Sequence, residues 1–320
     1  MKNASMNTLS QISHQIRSSA LLLLAVLSIA NPAAAQQAPT VPAAMGPTLS
    51  KLADSGTIFV AHREAALPFS YVASGDADAA VYGYSWEICS HIVKAAEARL
   101  GRNLKAVPVA VSANSQIMMV KVGMADLECG ATTNNVARQK LAAFSNTIYV
   151  ADVRLMVRKD SGIKSIADLA DRRVVTTLGT TADRLIKAAA LASNITIQNR
   201  MGRSHAESMG MMIRGEADVY VGDDAILAGE RAKASMQDQL VLLDEVLATE
   251  PYGIVLRRDD PQFKKLVDEA IVGLMRSGEF ARIYDKWFMN PIPPLGINLQ
   301  MPMSEKLKAA IASPNDRPAN

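Results

Sequence analysis

One short pattern occurs twice in this chain and limits what it can fold into. Gly123-Met-Ala-Asp126-Leu127 leads into ECGATT, and Gly215-Glu-Ala-Asp218-Val219 leads into YVGDDA. Each copy follows a stretch with helical spacing, IMMVKVG in the first and HAESMGMMIRG in the second. A helix-stopping glycine, an Ala-Asp pair, a short strand and a polar loop are therefore repeated as a unit. A chain built this way makes two similar lobes. Between the copies, VRLMVRKDS reads as a strand, IADLADR as a short helix, and VVTTLGTTADRLIKAAALA as strand, glycine turn and helix. That alternation predicts α/β lobes with mainly parallel cores. Such sheets bind ligands beyond the carboxyl ends of their strands.

The first residues carry Lys2 and Arg17, then SSALLLLAVLSIA, then small residues at Ala33 and Ala35. This is the layout of a secretory signal peptide over 1–35, cleaved after Ala35, with the mature chain starting at Gln36 in the periplasm or outside the cell. The apolar run is shorter than the roughly 20 residues of a membrane span. Residues 36–50, rich in Ala, Pro and Gln, read as a flexible leader. Without Lys2 and Arg17 the basic count falls from 34 to 32 against 31 acids, so the mature chain is nearly neutral at +1. That balance gives no reason to expect a nucleic-acid partner. Cys89 and Cys129 enter a compartment where they can pair, or they remain two buried thiols. His62, His91 and His205 lack zinc-site spacing, and no metal or cofactor is expected.

Three helices announce their ends: 85–101 with Ser85 as cap, one opened by Ser204 with Glu207 as a capping box, and one running from the cap Asp260 and Pro261 to Gly278. The polar groups fall in the two repeated loops and the glycine turn. Arg138, after ATTNN, is suited to gripping a carboxylate through paired hydrogen bonds, although an early-helix surface arginine reads the same way. Thr132 and Thr133 can add hydroxyl donors or satisfy the local backbone. Thr180 and Thr181 open a helix, where they serve an anion or act as ordinary caps. Asp223 and Asp224 can hold an ammonium group or simply start a helix. No nucleophile elbow, phosphate loop, dinucleotide fingerprint or metal cluster occurs. Anion grips and an amine grip divided between two lobes suit a free amino acid.

HRE-x-x-x-PFSY (62–71), ECGATTNNVARQKLAAFS (128–145), LGTTADRL (178–185), DDAILAGERAKA (223–234), YGIVLRRDDPQFKKL (252–266) and DKWFMNPIPP (285–294) together resemble the periplasmic glutamate/aspartate-binding proteins of ABC importers, within the family 3 extracellular solute-binding proteins. The resemblance runs from about Leu49 to the C-terminus. It implies an α/β periplasmic-binding-protein fold: lobe 1 (51–150 plus 252–290) and lobe 2 (151–251) joined by two crossover strands, with a tail (291–320) packed on the surface. It also implies a monomer that closes on its ligand like a hinged trap and docks on an inner-membrane ABC permease. Carried over by residue, Arg138, Thr133 and Thr181 match the α-carboxylate site, Asp224 the ammonium partner, and Arg63 and His205 the side-chain pocket.

The sequence departs from that pattern in three places. Gln116 stands where the relatives have an arginine, Ala131 replaces a serine, and Ile254 replaces a cysteine. The first two remove a cation and a hydroxyl from the side-chain pocket, so an amide such as glutamine or asparagine competes with an acidic ligand. Cyclohexadienyl dehydratases resemble this family as well, and an enzyme of that kind acting on prephenate or arogenate would need a proton donor among Glu64, Asp223 and His205.

Overall fold

In the computed structural model, which describes residues 45–73 and 80–320, the repeated pattern becomes the centre of two five-stranded sheets. The expected signal peptide, its cleavage site and the expected leader as far as residue 44 lie outside the described residues, whereas positions 47–50, expected as the end of a flexible leader, open a helix on which Leu49 is buried. The chain begins with α1 (Pro47–Ser55), β1 (Thr57–Arg63), a small three-stranded sheet of β2 (Ala65–Ala66), β3 (Ser70–Val72) and β4 (Val81–Tyr82), and α2 (Tyr84–Leu100). It continues with β5 (Lys105–Val111), α3 (Gln116–Lys121), β6 (Leu127–Glu128), α4 (Val136–Gln139) and β7 (Ala143–Phe144).

The second lobe holds β8 (Tyr149–Arg158), a 3₁₀ turn (Ile166–Leu169), β9 (Arg173–Thr177), α5 (Ala182–Ala192), β10 (Gln198–Gly202), α6 (His205–Ile213), β11 (Val219–Asp223), α7 (Asp224–Lys233) and β12 (Leu240–Tyr252). The chain then returns through β13 (Val255–Leu256), α8 (Pro261–Ser277) and α9 (Glu279–Phe288) before the tail helix α10 (Glu305–Ala312).

The strand orders are β5-β1-β6-β13-β7 and β10-β9-β11-β8-β12. In each sheet three parallel strands meet an antiparallel strand beside the repeated one. The aspartate of each repeat fixes that arrangement. Asp126 accepts the backbone N–H of Phe59 at 2.8 Å and pairs with Lys51, while Asp218 accepts that of Arg173 at 2.9 Å and pairs with its guanidinium. The same residue thus ties the same strand junction in both lobes.

The lobes are joined where β7 runs into β8 and β12 into β13. These crossovers bond to each other: Ser145 N–H to Ile254 O at 2.9 Å, Ile148 N–H to Tyr252 O at 2.9 Å, and a ladder that pairs Tyr149 with Tyr252 and Ala151 with Glu250. Beneath them lies an aromatic cluster. Tyr149 stacks on Phe288 at 5.3 Å and meets Phe69 edge-on at 4.8 Å, and Tyr252 sits 5.2 Å from Phe69.

Helix caps follow the sequence with two corrections. Asp260 accepts the N–H of Phe263 at 3.0 Å, Pro261 opens α8, and Gly278 closes it at φ 80°. But α2 starts at Tyr84, one residue before the expected Ser85, because Gly83 at φ 138° packs against the Phe69 carbonyl where a Cβ would stand only 2.2 Å away. At α6, Ser204 accepts the N–H of Glu207 at 3.2 Å, but Glu207 turns its carboxylate to Arg203 instead of completing the box. Cys89 and Cys129 form a disulfide that pins the ECGATT loop to α2. Among the described residues no helix is long and apolar enough to cross a membrane.

Candidate functional site

The loop after β6 is held from both sides. Asn135 caps α4 by accepting the N–H of Arg138 at 2.8 Å, and Arg138 Nη1 returns to the carbonyl of Thr133 at 3.0 Å. Asn134 N–H bonds Pro251 O at 2.8 Å, and Gly253 N–H bonds Thr132 O at 3.2 Å, so the loop is sewn to the second crossover. The tail also reaches it: Ala319 N–H donates to Asn134 O at 2.9 Å, and Asn134 and Gln139 donate to Asp316 O. This tail does more than cover the surface; it braces the loop from behind.

Arg138 crosses the cleft. Its Nη2 donates to the carbonyl of Gly179 at 3.0 Å, in the glycine turn before α5. Gly179, at φ 83°, lies so close to lobe 1 that a Cβ would fall 2.5 Å from Asn114 N. Thr133 of lobe 1 and Thr181 of lobe 2 meet on one atom, Oε2 of Glu250, at 2.9 and 2.6 Å. Glu250 sits on β12 and is 2% exposed. The structure thus brings Arg138, Thr133 and Thr181 together around a residue the sequence reading missed. Its signal is faint: Glu250 is the one charged residue in the crossover LATEPYGI.

At the other end of the cleft, Arg63 and Gln116 are both buried, and Arg63 Nη1 donates to Gln116 Oε1 at 3.2 Å. His205, at the first turn of α6, shares its Nδ1 with Thr177 Oγ1 at 3.1 Å and Tyr220 OH at 3.0 Å. Burial and the nearby Arg63 charge hold His205 neutral, well below the usual histidine range. Arg63 and Ser112 of lobe 1, with Arg203 and Ser204 of lobe 2, line a cavity of about 200 Å³.

The carboxylates divide the cleft. Glu128, fully buried, accepts the hydroxyl of Thr132 at 2.7 Å, while its Oε1 has no partner. Desolvation raises it to about 7 despite the nearby Arg63 and Arg138. Gly130 packs closely beside it: a Cβ there would lie 2.2 Å from Glu128 Oε1 and 2.8 Å from Arg63 Cγ, so these side chains would have to shift. Asp223 accepts a hydrogen bond from Tyr252 OH and is raised to about 7 by desolvation and by Glu250.

Two sequence candidates point elsewhere. Asp224 accepts its own helix's Ala225 N–H at 2.8 Å and lies 3.5 Å from Tyr149 OH, so Asp223 is the aspartate whose charge acts on Arg138. Thr180 spends its hydroxyl on Thr177 O at 2.7 Å, as a turn residue does.

Two sheets of this order, joined by paired crossovers around a polar cleft, accompany a sequence match over most of the chain. The profile of the bacterial extracellular solute-binding proteins, family 3, matches residues 58–290. The chain belongs to that family. Among curated family 3 relatives, the glutamate/aspartate import solute-binding protein of Escherichia coli (strain K12) is 40% identical over 92% of this chain and 97% of its own length. The L-glutamate/L-aspartate-binding protein of Pseudomonas aeruginosa is 42% identical, again over 92% and 97%. Among solved structures, the ancestral amino acid-binding protein AncCDT-1, described as a precursor of cyclohexadienyl dehydratase, superposes with a TM-score of 0.64 at 26% identity, covering 75% of this chain and 99% of its own.

Proposed function

We propose that this family 3 protein is a periplasmic receptor that captures glutamate, aspartate or the matching amide between its lobes and delivers it to an inner-membrane ABC permease. The observation that carries the reading is Arg138, whose guanidinium bonds lobe 1 and lobe 2 at once beside Thr133 and Thr181. A ligand held there touches both lobes. Only such a ligand binds the closed form better than the open one and so shifts the hinge equilibrium. The names of the relatives at 40–42% identity support the ligand class.

In this reading Arg138 holds the α-carboxylate, and Asp223, in place of Asp224, faces the ammonium. Arg63, Gln116 and His205 form the side-chain pocket. It holds one cation fewer than the family resemblance implies, because Gln116 offers Arg63 an acceptor where an arginine is expected. A neutral His205 donates or accepts but brings no charge. The pocket therefore discriminates less sharply between acid and amide. Calorimetric titration of the mature protein with glutamate, aspartate, glutamine and asparagine tests the reading. Binding limited to apolar or cationic amino acids would refute it.

The receptor reading also outweighs the dehydratase. Glu64 is exposed, His205 is held neutral, and Asp223 is engaged by Tyr252. Prephenate and arogenate should pass through purified protein unchanged, and product formation would reverse the assignment.

A further inference from the structure

Glu250 lies where the crossover passes under the cleft, and the two threonines expected to donate to a ligand carboxylate both point at it. A hydroxyl has one proton and two lone pairs. With those protons on Glu250 Oε2, Thr133 and Thr181 present only acceptor lone pairs to anything else. The charge count agrees. Arg138 feels Glu250 and Asp223 as its strongest opposite charges, with Glu128 behind them, and two of its own N–H groups are engaged by carbonyls. One cation does not hold all of these carboxylates ionised, since Asp223 and Glu128 are both raised to about 7, and this end of the cleft is short of positive charge. A ligand ammonium supplies it.

We propose that Glu250 is a positioning residue for the ligand's α-ammonium: it fixes the hydroxyls of Thr133 and Thr181 as acceptors, joins its charge to that of Asp223, and so selects amines over deaminated acids. The proposal rests on the amino-acid reading given above. It also divides the roles of Arg138 and its neighbours. The guanidinium keeps the α-carboxylate through its remaining N–H groups, while the threonine hydroxyls serve the other end of the zwitterion.

The test compares wild type with Glu250→Gln in the full mature chain, using calorimetry for L-glutamate and L-glutamine and competition by glutarate, which has the same chain length and no amine. A carboxamide oxygen in the place of Oε2 has two lone pairs and can still take both hydroxyl protons, so this variant removes the charge while leaving the threonines as acceptors. Amino-acid affinity should fall about 10- to 100-fold, the range for a charged hydrogen bond. Glutarate binding should hold or improve, because a repelling charge is gone. Unchanged or tighter amino-acid binding would overturn the proposal and make Glu250 a resident competitor that the ligand displaces. An equal loss for glutarate would overturn it too, leaving Glu250 a purely structural contact. If Glu250→Gln does not fold, Thr133→Val removes one of the two oriented hydroxyls and should narrow the glutamate-to-glutarate ratio; an unchanged ratio refutes the proposal. Wild type that binds no amino acid sinks the parent reading, whereas wild type that binds while Glu250→Gln behaves alike sinks only this one.

Discussion

Replacing Gln116 with arginine adds the cation that the family resemblance leads one to expect at this position and asks how far one side chain sets specificity. Gln116 is 1% exposed and accepts from Arg63 at 3.2 Å, so the new guanidinium would lie in the same buried pocket. Two like charges about 4 Å apart repel by roughly 4 kcal/mol at an effective dielectric of 20. Glu128, buried with an unpartnered oxygen and already acting on Arg63, opposes that repulsion when ionised. What remains is the new bond to a ligand carboxylate. A hydrogen bond to a charged group is worth about 1.5–3 kcal/mol, which is roughly 10- to 150-fold in affinity. The glutamate-to-glutamine affinity ratio of Gln116→Arg should rise by that factor over wild type, read by calorimetry at one pH and salt concentration. A thermal melt on the same samples shows whether the variant folds. A folded variant with an unchanged ratio would mean that Gln116 does not line the side-chain pocket.

Arg138→Ala should cost about 2–5 kcal/mol of amino-acid binding, since it strands a buried ligand charge, and near-normal titration of the folded variant would exclude its role. Opening the Cys89–Cys129 bond with a double serine variant should cost about 4 kcal/mol of unfolding free energy on the chain-entropy account for a 40-residue separation, measured by urea titration. The pH dependence has a definite sign. Glu128 is raised from 4.5 to about 7, so its folded form binds the proton more tightly than the unfolded chain does. Its contribution is complete below the unfolded value and is lost as pH climbs through about 7, a change of roughly 3 kcal/mol. Glu128→Gln should flatten that part of the stability curve, and an unaltered slope would contradict the assignment.

Much of the architecture was legible because the repeat carries its own fastening. Asp126 and Asp218 each follow a helix-stop glycine and each bond a neighbouring strand, so the sequence echo and the sheet junction are one fact. Arg138 was legible for a similar reason, since its cap, Asn135, is three residues away. What could not be read locally depends on distant partners. Glu250 joins Thr133 across 117 residues, and of the adjacent aspartates Asp223 acts on Arg138 while Asp224 lies beside Tyr149, a difference only the start of α7 sets. The disulfide was undecidable for the same reason: spacing alone did not place α2 against the ECGATT loop. Gly83 became the cap of α2 through the Phe69 carbonyl, which lies 14 residues earlier in the chain and close only in the fold.

The disulfide and the bracing tail leave the two jaws of the cleft unequal. On lobe 1 the ECGATT loop is tethered covalently to α2 and strapped by residues near Ala319, whereas the glycine turn of lobe 2 meets it through Arg138 and the threonines. A diffusing ligand should therefore meet the tethered loop as the more fixed of the two surfaces. This asymmetry predicts that the encounter step belongs to lobe 1 and that lobe 2 acts afterwards as the clamp. In kinetic terms, changes on the tethered loop should alter how fast ligand is caught, and changes in the Gly179 turn should alter how long it stays.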